Sequence, residues 1–121
     1  MIVRDEIGEQ LAGWGKVVRL ETRGRLSGRP VAAAVGFIEE ADGSLLVAAG
    51  SPDVGWARNL DVDGRCRVLV EGREVPMIAA RLEGDAANRA VVELILKYGT
   101  PAERLGRGPV FRLRPLTAEG G

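Results

Sequence analysis

Between Val17 and Arg23 the side chains alternate, with Val18, Leu20 and Thr22 on one face and Arg19, Glu21 and Arg23 on the other. A period of two describes a strand with one wet side. After a turn holding Gly24, Ser27 and Gly28, the chain resumes as Val31-Ala-Ala-Ala-Val-Gly-Phe-Ile38, apolar on both faces, so a second strand buried on both sides is expected. Its side chains are small. Three alanines and Gly36 leave space beside the backbone, which suits a tight barrel interior or a flat ligand lying against the sheet.

The segments that follow extend this pattern. Asp42-Gly43 predicts a hairpin turn into a third strand, Ser44 to Ala49. Gly50-Ser-Pro-Asp53 then reads as a helix start, with Ser51 as N-cap, Pro52 in the first position and Asp53 in the first turn. This helix should run to about Leu60, with Trp56, Asn59 and Leu60 on one face. Asp63-Gly64 turns the chain into Arg65 to Glu71, where Cys66, Val68 and Val70 share a side. Glu71-Gly-Arg73 leads into a long strand, Glu74 to Leu82, in which Pro76 predicts an edge or a bulge. Asp85 is the expected cap of a helix from Ala86 to Tyr98, because Ala87, Ala90, Val91, Leu94, Ile95 and Tyr98 recur at helical spacing before Gly99 and Pro101. A polar stretch, Thr100 to Gly108, precedes the last strand, Val110 to Arg114. At the other end Asp5 caps a weak helix carrying Ile7 and Leu11, a lid anchored by Trp14.

Six short, mostly antiparallel strands with helices between them define an α+β domain, most economically a small barrel whose helices cover its ends. At 121 residues the chain, 1–121, is read as one domain with a core of its own. Seventeen basic residues balance seventeen acidic ones, which removes the general attraction to nucleic acid or to an anionic membrane. Histidine is absent, so His-ligated metal, Ser-His-Asp triads and a His general base are excluded, and no metal site is expected. The single cysteine, Cys66, lies in an alternating run and is read as a small buried hydrophobe rather than a nucleophile without a base. No apolar run has the length of a membrane span, and Met1-Ile-Val-Arg-Asp-Glu has the wrong charge order for a secretory signal, so a cytoplasmic protein is expected.

Against this neutral background the first turn stands out. Arg19, Arg23, Arg25 and Arg29 against Glu21 alone give it a local charge of about +3. Glycines let a backbone approach a ligand closely, and amides exposed at a tight turn can cradle an anion, with Ser27 and an arginine completing the shell. The same residues also suit a plain hairpin whose arginines keep an edge soluble. Trp56 has two readings as well, as core packing or as a wall for a planar ring.

The order of strands and motifs resembles the split β-barrel flavin and deazaflavin oxidoreductases, over Val17 to Leu116. Within them the chain is similar to the deazaflavin-dependent nitroreductase family, also called the quinone reductases dependent on coenzyme F(420). Three stretches carry the resemblance: Thr22-Arg-Gly-Arg-Leu-Ser-Gly-Arg-Pro30, Leu46-Val-Ala-Ala-Gly50, and Trp56-Ala-Arg-Asn-Leu60. The resemblance implies an oxidoreductase that passes hydride from the reduced coenzyme to an electron-poor acceptor such as a quinone or nitro compound. It places the coenzyme's phosphate and acidic tail at Arg25, Ser27 and Gly28, and its ring along Ala48, Ala49, Gly50 and Trp56. Tyr98 falls near family tyrosines that border the substrate pocket, and Trp14 in the covering lid is grouped with it. The family's lysine falls at Leu26 and its usual following arginine at Val31, so Arg23 and Arg29 are the expected substitutes. With fewer cations, FMN is the alternative cofactor, and a non-catalytic binding protein the alternative role. No catalytic residue is assigned. The partners expected are a small redox acceptor and a second copy of the chain in a homodimer.

Overall fold

A computed structural model of the chain describes residues 17–70, 72–99, 105 and 107–116. The expected N-terminal helix, its anchor Trp14, Glu71 of the Glu71-Gly-Arg73 turn, and most of the stretch from Thr100 to Gly106 lie outside these residues. The described strands are β1 (Val18–Arg23), β2 (Pro30–Val35), β3 (Ile38–Glu39), β4 (Leu45–Ala48), β5 (Arg65–Val70), β6 (Arg73–Leu82) and β7 (Val110–Pro115). Two helices accompany them, α1 (Gly55–Val62) and α2 (Gly84–Tyr98).

The strands form one sheet in the order β2-β1-β5-β6-β7-β4-β3, every pairing antiparallel. Its two outermost strands are consecutive pieces of a single run, separated only by Gly36 and Phe37. Three Cα steps span at most about 11 Å, whereas a flat sheet of this width would hold its edges about 29 Å apart. The sheet must therefore curl until its edges approach, which makes it a split barrel. The same break explains why seven strands are present where six were expected: the run Val31 to Ile38 changes edges at Gly36-Phe37 instead of continuing straight.

That run is also less buried than its composition implied. Ala32 is exposed, Val31, Ala33, Ala34, Phe37 and Ile38 are half-buried, and only Val35 and Gly36 are buried. The expectation of burial on both faces fails because alanine, counted as apolar, carries too little surface for its exposure to cost much. Where the run bends, the Phe37 amide and carbonyl are served by α2. The Tyr98 hydroxyl accepts from the Phe37 N–H at 3.0 Å, and Lys97 Nζ donates to the Phe37 carbonyl at 2.6 Å while lying over the Phe37 ring at 3.7 Å. Strand β6 is interior, and Pro76 costs it only the last bond of one ladder. The β6–β7 pairing begins at Met77 opposite Pro115, and the Pro76 carbonyl still takes the Leu116 N–H at 2.9 Å, so the missing donor falls where β7 gives out.

Inside the curl, Val18, Leu20, Val47, Val68, Phe111 and Leu113 meet α1, which inserts Trp56, Ala57 and Leu60. Outside it, α2 lays Ala90, Leu94 and Tyr98 over Leu46, Ala48 and Val110. Both helices start differently from expectation. The first begins at Gly55 after Val54, four residues beyond Ser51, whose hydroxyl instead accepts from the Asp53 N–H at 3.2 Å to close a local turn. The second begins at Gly84, with Asp85 inside its first turn, where a carboxylate faces the positive helix end, and not at the cap.

Candidate functional site

The β1–β2 connection runs from Gly24 to Arg29, closed by the Gly24 N–H on the Arg29 carbonyl and the Gly28 N–H on the Gly24 carbonyl, both at 2.8 Å. The Ser27 hydroxyl accepts from the Arg29 N–H at 3.1 Å. Two glycines make this compact turn possible. A Cβ on Gly24 would stand 2.7 Å from Ser27 Oγ and 3.0 Å from the Arg29 carbonyl, and Gly28 has φ +72°, a conformation that L side chains avoid. The amides of Leu26 and Ser27 have no partner among the described residues. Leu26 itself is 91 % exposed.

The turn is seated on α1. Asn59 is buried on the inner face of that helix, and its Oδ1 accepts from the Arg25 N–H at 3.1 Å and from Arg25 Nη1 at 2.8 Å. Its Nδ2 donates to Thr22 Oγ1 at 3.0 Å, so the amide is filled on both sides. Arg25 Nη1 also reaches the Gly55 carbonyl, at a long 3.5 Å. Among the described residues Arg25 thus meets neutral acceptors only, and no carboxylate there cancels its charge.

Beside the turn lies a cavity of about 380 Å³ whose walls include Thr22, Arg23, Gly28, Asp63, Arg65 and Met77. Two hydrogen bonds from the Arg65 side chain, then one from its amide, hold the Asp63 carboxyl below its ordinary value, with a smaller contribution from the charge of Arg23. Arg29 is exposed and has no carboxylate partner among the described residues. Cys66, also in the cavity wall, is nearly enclosed, and burial pushes its thiol up to about 12. A thiol so held is not a nucleophile at neutral pH.

The other expected contacts are distributed differently. Ala49 lies in the inner core with Trp56, whereas Ala48 points out of the curl toward Tyr98, because adjacent strand residues face opposite sides. Trp56 is 3 % exposed and tilts against Phe111, ring centroids 6.3 Å apart. Gly50 is half-buried at the end of β4. Tyr98 is enclosed, its hydroxyl on the Phe37 backbone, and burial raises its pKa. The structure therefore brings Arg23, Ser27 and Gly28 to one place and separates them from Tyr98. Sequence reasoning placed Asn59 beside Trp56 but assigned it no task; a polar residue on the apolar face of a helix was the available signal.

A curled antiparallel sheet with one helix in its mouth and another on its back, carrying a basic turn with open amides, is a split β-barrel domain. The family described as F(420)H(2)-dependent quinone reductase matches residues 2–108, and the chain belongs to that family. No curated protein matches the chain. Among solved structures, the chain is similar to Atu2129, a protein of unknown function from Agrobacterium tumefaciens, at 24% identity and a TM-score of 0.69, covering 83% of this chain and 48% of that one. It thus spans about half the length of that protein. A structure named F(420)-H2 dependent reductase (FDR-A) is similar at 24% identity and a TM-score of 0.64, with 81% of this chain and 93% of that chain covered. HutZ, the heme storage protein from Vibrio cholerae, shares the fold at 20% identity and a TM-score of 0.67, over 98% of this chain and 93% of that one. No helix among the described residues is long and apolar enough to cross a membrane.

Proposed function

We infer that the chain is an oxidoreductase that uses reduced coenzyme F(420) to reduce an electron-poor acceptor, a quinone or a nitro compound. The observation that carries this reading is the arginine turn: the amides of Leu26 and Ser27, open among the described residues, with Arg29 beside them and no carboxylate partner there, in a chain of this family. The donor set fits an anionic tail, since every group in it donates and no carboxylate of the turn itself competes. Arg23, Ser27, Gly28 and Arg29 would hold that tail, with Arg25 shaping the turn. Of the residues assigned to the ring, the half-buried Gly50 just beyond β4 suits close approach, while Ala49 and Trp56 support it from the core.

When bound, the reduced coenzyme supplies hydride. The chain's own residues bind the tail, orient the coenzyme and exclude water; none has to move a proton. Mixing the purified protein with the reduced coenzyme and a soluble quinone tests this, with steady loss of reduced coenzyme expected. A protein that neither binds the coenzyme nor oxidises its reduced form overturns it.

Leu26, standing fully exposed where the family has a lysine, favours one second reading. A turn with fewer cations suits the single phosphate of FMN, and a yellow protein releasing FMN on denaturation would select it. Binding of either cofactor without acceptor reduction would mark a carrier. A homodimer, with residence in the cytoplasm, completes the proposal.

A further inference from the structure

We propose that Asn59 is a positioning residue that seats the arginine turn through Arg25, so that Arg25 shapes the coenzyme's anion site without touching the anion. The inference rests on the reading of that turn as the coenzyme's tail site. Its basis is a buried amide engaged through both its oxygen and its nitrogen. Asn59 is 3 % exposed, its oxygen takes both the backbone and the guanidinium of Arg25, and its nitrogen donates to Thr22. Thr22 is itself buried on the inner face of β1, so the chain of contacts ties helix, strand and turn into one unit.

The accounting of donors leads to the same assignment. The N–H groups of Gly24, Gly28 and Arg29 close the turn on itself, and that of Arg25 goes to Asn59. What remains for an anion is the amides of Leu26 and Ser27 and the guanidiniums of Arg23 and Arg29. Arg25 is held back against α1, and because its partner is an amide and not a carboxylate, its positive charge still acts on the turn. An aspartate at position 59 would bind Arg25 more strongly and cancel that charge.

The test uses the intact protein, with coenzyme F(420) as the titrant and hydrogen exchange of the Gly28 amide, measured without coenzyme, as a second readout. The Gly28 amide is bonded to the Gly24 carbonyl and not to Asn59, so its protection reports the order of the turn. Asn59→Ala is expected to raise Gly28 exchange at least tenfold and to weaken coenzyme binding about tenfold. Arg25→Met should weaken binding similarly in the wild-type background and by less than twofold in the Asn59→Ala background. A full, additive loss from Arg25→Met in that background, or unchanged Gly28 protection in a folded Asn59→Ala protein, overturns the proposal. Where Asn59→Ala does not fold, Arg25→Met alone decides: Gly28 protection falls if Arg25 seats the turn and stays unchanged if it contacts the anion. A wild-type protein that binds no coenzyme overturns the functional reading, and the exchange measurement still decides whether the seat exists.

Discussion

Tyr98 and Phe37, 61 residues apart in the chain, meet where the sheet changes edges, the phenol oxygen 3.0 Å from the Phe37 amide nitrogen. The bend at Gly36-Phe37 leaves Phe37 without a strand partner on either side. A buried amide without a partner costs about 1–3 kcal/mol, so the last turn of α2 is part of what closes the barrel.

Tyr98→Phe removes that acceptor, together with the hydroxyl's longer donation to the Phe37 carbonyl at 3.4 Å. Urea denaturation should show a loss of about 1–3 kcal/mol with an unchanged slope. Unaltered stability with a raised KM for the acceptor would instead return Tyr98 to the substrate pocket.

Trp56 fills the mouth of the curl against Phe111. Trp56→Ala should cost about 3–5 kcal/mol, as cavity-forming substitutions of large aromatics do. A loss below 1 kcal/mol, with coenzyme affinity reduced, would make the indole a ligand wall and not a core residue.

Cys66 should resist a thiol reagent at pH 8 until the protein unfolds. Its thiol titrates near 12 when folded against an ordinary 9.0, with burial the larger cause and the Asp63 charge the smaller. A raised value means that the folded state holds the proton longer. The stability linked to this group is therefore complete below pH 9 and declines as pH rises through 12. Rapid labelling of the native protein at pH 8 would contradict the enclosure.

Acid acts on other groups. The Asp42 carboxyl is lowered first by the Ser44 amide, and that of Asp63 first by the Arg65 side chain, both from an ordinary 3.8. Groups depressed on folding contribute stability above that value and lose it as pH falls through their folded values. Asp63→Asn should flatten the acid limb of the stability profile; an unchanged limb would remove Asp63 as its source.

Gly24→Ala places a methyl group within 2.7 Å of Ser27 Oγ and 3.0 Å of the Arg29 carbonyl, so the turn has to open. Coenzyme affinity should fall at least tenfold, about 1.4 kcal/mol. Because Gly24 lies beyond the end of β1, the unfolding midpoint should move little; a large shift would assign the glycine to the fold and not to the site.

Much of this could be read in advance because it depends on neighbours in the chain. Alternation put Val18, Leu20 and Thr22 on one face of β1, and helical spacing put Ala90, Leu94 and Tyr98 on one face of α2, as observed. The basic turn announced itself by charge density. Ser51 misled because a serine-proline pair serves a local turn as well as a helix cap, and only the packing of Trp56 and Leu60 into the barrel decided that α1 should start at Gly55.

Local periodicity, turn chemistry and charge are properties of residues a few positions apart, and these the amino-acid order determined by itself: the strands, the long helix, the absence of histidine chemistry, the arginines at one corner. Which edge each strand took, where Val31 to Ile38 broke, and whether Arg25 met a ligand or the protein depended on contacts between residues such as Arg25 and Asn59, 34 positions apart. Such contacts form only once the sheet has curled, because the curl is what brings α1 beneath the turn and α2 beside the bend.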